Sequence, residues 1–237
     1  MLKKIIRKLL SDQVRSRYLT PYLIFIKNTK RKHYRSSQPY SQLYGPLTLD
    51  PQYVEMENFT RLQPGTKVIS SGGKLIIKKF SAVGAGCTII PGSHIPTVGL
   101  PQFLSQCHIN DTATHIVIEE DAWVGAQCIL LSHCHIGRGA VVGAGSIVTK
   151  EIPPYAIVAG APCRIKGVRF SLEQVLQHEA ILYPPEERMK RSELEELYAT
   201  QYAGLRVMGT SEISPEDQTE LARIKQQYGI RNYESCQ

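Results

Sequence analysis

Histidine supplies most of the chemistry that this sequence could perform. His94, His108 and His115 stand beside or inside one irregular stretch, and His133 and His135 follow soon after it. A neutral imidazole can take the proton from a hydroxyl, a poor nucleophile while protonated, and later return it to a leaving group. The six cysteines offer less. No two form a CxxC pair, so they read as small core residues and not as a disulfide or metal framework. A histidine acts only if something rigid presents it, and the rest of the sequence shows what that is.

Ile118, Val124, Leu130, Ile136, Val142 and Val148 are aliphatic residues spaced by six. Four positions after the first five stand Ala122, Cys128, Cys134, Ala140 and Ser146, all small. An earlier block repeats the pattern with Ile77, Val83, Ile89 and Ile95, with Cys87 and Ser93 at the small position. Met56, Leu62 and Val68 are a fainter start. A period of six fits neither a helix nor a simple strand alternation. It fits a three-sided coil closed by three hexapeptides, each giving a short strand and a corner. Ile118 should then stack on Ile136, and Val124 on Val142. Residues 96–117 interrupt the repeat with Pro96, Gly99, Pro101, Asn110 and Asp111. A break of this length inside a compact repeat is usually functional, and it reads as an arm projecting from a corner. His94 falls five positions after Ile89, at an outward corner position where the arm begins.

The flanks differ in character. Of the formal charge of +7, the excess lies before residue 40, where basic residues from Lys3 to Arg35 face a single acid, Asp12. Leu2, Ile5, Ile6, Leu9 and Leu10 have helical spacing beside Lys3, Lys4, Arg7 and Lys8. Such an arm could lie on an anionic membrane or pack on the coil. Tyr22–Ile26 is too short to span a bilayer, and nothing reads as a signal peptide, so a cytoplasmic location is expected. After Ser171 the pattern becomes helical, with Leu172, Val175, Leu176 and Glu179, then Glu187–Tyr202 and Pro215–Tyr228. The expected organisation is a basic, partly helical arm over 1–50, a β-coil over 51–170 and a helical extension over 171–237.

The run Asp121-Ala-Trp-Val-Gly and the stretch from Val142 to Arg164, with its Pro153-Pro154 and Ala161-Pro162, resemble the hexapeptide-repeat acyltransferases. Among these, galactoside and maltose acetyltransferases are the most similar at the C-terminal end, and xenobiotic and polysaccharide O-acetyltransferases are also similar. The likeness covers about residues 55–170. It implies a left-handed parallel β-helix, a homotrimer with active sites between prisms, and acetyl-CoA as donor. No metal and no nucleic acid are implied. The general base it implies is a histidine at the root of the arm, which here is His94, with His108 and His115 as competitors and Asp111 as a candidate partner. For the donor it implies Trp123 beside the pantetheine arm, the backbone of Ala126 and Ala144 along the channel, and Thr149, Lys150 and Arg164 near the adenosine phosphates, with Lys166 assisting. Lys and Arg suit phosphate as a point charge and a planar fork respectively. Gly167 stands where a second base is expected, and the arm differs in length and sequence. The acceptor is expected to be a hydroxyl or amine of a saccharide.

Two other readings remain open on the sequence. A zinc hydratase resembling the γ-type carbonic anhydrases would need three converging histidines, for which His133 and His135 join His94. A non-catalytic repeat scaffold is the other.

Overall fold

The computed structural model describes residues 42–43, 49–70 and 72–233. The basic, apolar-striped segment before residue 40 lies outside the described residues. The core is a prism of three parallel sheets wound from one chain. One face stacks Gln42–Leu43, Arg61–Leu62, Ala82–Val83, Trp123–Val124, Val141–Val142 and Ala156–Gly160. The second stacks Lys67–Val68, Thr88–Ile89, Ile129–Leu130 and Ile147–Val148, and the third Val54–Met56, Leu75–Ile77, Ile116–Ile118 and His135–Ile136. The expected register holds: Ile118 pairs with Ile136 and Val124 with Val142, each partner lying three hexapeptides further along the chain. Leu62, Val83, Val124 and Val142 fill the first face from inside, with Ile89, Leu130, Val148, Ile77, Ile118 and Ile136 on the others, all buried.

The corners explain the small residue. The residue before it takes a positive φ, as at Asp121 (57°), Gln127 (57°) and His133 (67°), and as glycine at Gly139 and Gly145. The chain then turns inward with too little room for a large side chain. Several of the small residues also satisfy a corner carbonyl. Cys87 and Cys128 donate S–H to Gly125 O and Gly143 O, each at 3.2 Å, and Ser81 donates to Glu119 O at 2.5 Å. Buried polar backbone without such partners would cost about 1–3 kcal/mol per group.

Four expectations need correction. Ser93 and Ile95 are exposed and do not continue the prism, because the coil leaves its register after Ile90. The projecting arm therefore begins near Gly92 and ends before Ile116, earlier at both ends than 96–117, since Ile116–Ile118 is already a strand of the third face. The ladder between coils is kept across the arm, Ile77 pairing with Ile118 and Ile89 with Leu130. The coil begins before residue 51, because Gln42–Leu43 already pairs with Arg61–Leu62. The helix expected from Glu187 starts instead at Arg191, because Pro185–Glu187 forms a separate 3-10 turn.

After the last coil, Ala156–Gly160 folds back antiparallel against Cys163–Val168. Three helices follow: α1 (Leu172–Leu182), α2 (Arg191–Gln201) and α3 (Pro215–Tyr228). Ser171 opens α1 with a reciprocal cap, its hydroxyl accepting from Gln174 N–H and the Gln174 side chain accepting from Ser171 N–H. What holds α1 on the prism is a buried polar cluster. Glu179, 1% exposed, accepts from Tyr155 OH at 2.7 Å, from the Arg138 guanidinium at 2.9 Å and from Met189 N–H at 3.1 Å. Burial, and then the Glu179 charge, push the Tyr155 hydroxyl well above its ordinary range, so it remains a donor. Asp121 at the neighbouring corner binds Arg169 at 2.6 Å and His178 at 2.9 Å. Among the described residues, no helix is long and apolar enough to cross a membrane.

Two substitutions probe this architecture. Val142→Asp places a carboxylate between coils with no partner, and the variant should lose several kcal/mol and most of its soluble yield. Wild-type melting would mean that Val142 does not face inward. Arg138→Ala leaves the Glu179 charge buried without its cation. It should cost about 3 kcal/mol and lower Tm by about 10 °C, read by calorimetry.

Candidate active site

The arm is a β-hairpin at its root. Ser93–His94 pairs antiparallel with Asp111–Thr112, so His94 lies directly across from Asp111. The Nδ1 of His94 sits 2.6 Å from Asp111 Oδ1. The other carboxylate oxygen, Oδ2, lies 2.8 Å from His108 Nδ1. Hydrogen bonds from His94 and then His108 hold the Asp111 carboxyl below the ordinary carboxylate range. The two imidazoles lie face to face, with centroids 5.9 Å apart and planes 26° apart. His108 keeps its place because the 3-10 turn Gln102–Cys107 ends on it with φ 55° and its N–H donates to Ser105 O at 2.8 Å.

His94 and His108 open onto a groove of about 860 Å³ whose other walls include Ile69, Ser70, Leu131, Ser132, His133 and Thr149. Ser132 ties the groove to the root of the arm by donating to Ile90 O and Gly92 O. This groove follows the corner between the second and third faces. His115 and His135 point elsewhere. His115 Nδ1 accepts from Lys74 N–H at 3.1 Å on the body of the prism. His135 Nε2 lies 2.7 Å from Glu119 on the third face. The set His94, His133 and His135 therefore does not converge within one chain. His108, beside His94, is the nearer neighbour.

The other site residues sit on a different part of the prism. Trp123 projects outward from the first face and is 59% exposed. Ala126 and Ala144 are exposed on the corner between the first and second faces, in successive coils, joined by Gly145 N–H donating to Ala126 O at 2.9 Å. The coils stack tightly at this corner, since a Cβ on Gly125 would lie 2.6 Å from Ala144 N. Arg164 pairs with Ala159 in the closing hairpin, next to this corner. Burial raises the Cys163 thiol, while the charges of Lys150 and then Arg164 pull it back. Among the described residues neither cation forms an ion pair with a carboxylate. Of these positions, only Thr149 also borders the histidine groove.

Gly167 has a structural reason. A Cβ there would lie 2.7 Å from Arg206 O and 3.1 Å from Met208 Sδ, because residues 206–208 run along the closing strand. The C-terminal extension takes the space of the second base. The sequence offers Asp111 as a candidate partner and His108 as a competing base, and the arm brings both imidazoles onto the one carboxylate.

A family described as bacterial transferase hexapeptide (six repeats) matches residues 115–150. A chloramphenicol acetyltransferase from Klebsiella aerogenes is 34% identical over 115 residues, covering 43% of this chain and 55% of that protein. The chain thus spans about half the length of the curated relatives it matches. Among solved structures, a hexapeptide-repeat acetyltransferase from Vibrio cholerae complexed with acetyl-coenzyme A aligns with TM-score 0.51 and 23% identity, over 56% of this chain and 70% of that one. A galactoside acetyltransferase in complex with coenzyme A aligns with TM-score 0.51 and 16% identity, over 77% and 92%. At these identities the structural likeness concerns the fold. Through residues 115–150, which match the bacterial transferase hexapeptide family, the chain is similar to the hexapeptide-repeat acetyltransferases.

Proposed function

We propose that this chain is an acetyl-CoA-dependent acetyltransferase on a left-handed β-helix, acting on a hydroxyl of a saccharide or a similar polyol. The observation that carries the reading is the His94–Asp111 pair at the mouth of the groove. Asp111 accepts the Nδ1 proton and so leaves the Nε2 lone pair of His94 for an incoming hydroxyl. As the hydroxyl oxygen attacks the thioester carbonyl, its proton passes to Nε2. Collapse of the tetrahedral intermediate breaks the C–S bond, and the imidazolium returns the proton to the CoA thiolate. The products are the acetyl ester and free CoA. Ser70, Ser93 and Ser132 give the groove the hydrogen-bonding character that a polyol needs, beside apolar Ile69 and Leu131.

In this reading Trp123, Ala126 and Ala144 line the pantetheine arm, and Thr149, Lys150 and Arg164 meet the phosphates. A carboxylate-free pair of cations is suited to a polyanion. Trp123 and His94 lie on different sides of one prism, so a single chain does not bring donor and base together. A neighbouring copy supplies the missing wall, and a trimer is the assembly proposed, with residues 51–170 as its core and 171–237 as an added helical layer.

Trp123 is the chain's one tryptophan, so its emission reports donor binding directly. Titration with acetyl-CoA should change that emission, and Lys150→Ala and Arg164→Ala should each weaken binding roughly 5- to 150-fold, or about 1–3 kcal/mol. Equal losses for CoA and dephospho-CoA would show that neither contact needs the 3′-phosphate.

The base is tested separately, on a panel of mono- and oligosaccharides, chloramphenicol and serine, with CoA release as the readout. With the best acceptor, His94→Ala should lower kcat about 10²- to 10⁴-fold while the emission titration stays near wild type. Undiminished turnover in that variant would remove His94 as the base.

A further inference from the structure

His94, His108 and Asp111 have a second chemistry open to them. Each offers one ligand atom, and these atoms lie within 4.8 Å of one another. The donor set is two imidazole nitrogens and one carboxylate oxygen, a set that suits zinc and its neighbours in the transition series. Both Nδ1 atoms already point at the same carboxylate, at 2.6 and 2.8 Å. Around a tetrahedral zinc with bonds of about 2.0–2.1 Å, ligand atoms stand about 3.3 Å apart. The two rings contact different oxygens of the Asp111 carboxylate, and ligand atoms already within 4.8 Å of one another need side-chain adjustments on the order of an ångström to reach that spacing. The backbone keeps the three residues together: His94 and Asp111 face each other across the hairpin, and His108 caps the end of the 3-10 turn. The imidazole side chains are 46% and 57% exposed, so an ion can reach them.

We propose that these three side chains bind a divalent transition metal of the zinc class, one per chain, and that the bound metal switches off the transferase. The inhibitory part rests on His94 being the base, as argued above. Its logic is the tautomer of the ring. With the Nδ1 proton donated to Asp111, the lone pair of His94 is on Nε2 and can accept a proton. A metal on Nδ1 uses the ring's one lone pair there. The ring keeps its single proton, now on Nε2, and can no longer take one from a hydroxyl. Metal binding and general-base catalysis at His94 exclude each other. His108 serves the metal and Asp111 serves both states, so the cluster acts as a metal-sensitive lock on the site.

The test uses the full chain in chelator-free buffer with zinc chloride. Calorimetry should give one zinc per chain. His108→Ala should bind at least about tenfold more weakly, since even a residue behind a ligand is worth that much. Cys107→Ser and His133→Ala, which alter an exposed thiol in the arm beside His108 and the other groove histidine, should bind as wild type. Nitrogen-15 ring spectra should show the His94 proton moving to Nε2 as zinc is added, a readout independent of any acceptor. Acetyl transfer should fall in step with occupancy and return with EDTA, while His108→Ala should keep its own metal-free rate at the same zinc concentration. Failure of the wild type to bind zinc, or loss of binding in Cys107→Ser or His133→Ala instead of His108→Ala, overturns the site. Binding and tautomer shift with undiminished transfer would leave the metal site standing, overturn the lock, and count against His94 as the base.

Discussion

The corner is the constraint on which the molecule depends. Three short strands close into a triangle only if the chain reverses inward at each vertex. A positive φ does the turning, and the next side chain must be small enough to sit under the turn. The non-glycine residues Asp121, Gln127 and His133 bear that conformation, each at a cost on the order of 1 kcal/mol. The ladder between coils offsets it, because each vertex is locked to its counterpart in the next coil by backbone hydrogen bonds such as Gly145 N–H to Ala126 O. Once the vertices are fixed, every outward position on the prism is fixed with them. Ala126 and Ala144 line up on one corner, and the histidine groove opens on another, without any residue being placed individually.

The two additions to the prism are joined by different means. The helical layer is fastened by charge and hydrogen bonds: Glu179 with Arg138 and Tyr155, and Asp121 with Arg169 and His178. The apolar residues Val175 and Leu194 pack around Tyr155 beside that cluster. The arm is fastened lightly, by a two-rung hairpin and a few side-chain bonds. Its distal part exposes Val98 and Phe103 to solvent in the single chain. The backbone pairing of the arm lies at its root, where His94 and Asp111 face each other.

The prism was legible in the sequence because its rule is local. A vertex needs a small residue and a face needs an aliphatic one, so Ile118 to Val148 announce themselves one by one. The rule also shows where legibility stops. Ser93 and Ile95 satisfy the six-residue spacing but not the closure, since only the chain beyond them decides whether a strand exists to pair with. The hairpin from Ala156 to Val168 has no six-residue signature, as antiparallel return follows a different pairing geometry. Within the site, the nearness of His94 to the root of the arm could be read from the spacing, although the coil has left its register after Ile90 and the hairpin is what positions the residue. Its pairing with Asp111 could not, because a long irregular stretch separates them and only the hairpin register brings them across. The close approach of residues 206–208 to Gly167 is likewise a long-range event that no local pattern records.

The register on either side of the arm has an evolutionary consequence. Val83 pairs with Val124 in the same way as Val124 pairs with Val142, although the first pair is separated by the whole arm and the second by one plain coil. The prism does not sense what is spliced into that vertex. A lineage can lengthen, shorten or replace the insert and inherit the same coil and the same outward corner beyond it, so long as the two ends meet. Diversification at this one vertex is thereby uncoupled from the folding of everything else, and new specificities can be sampled without renegotiating stability.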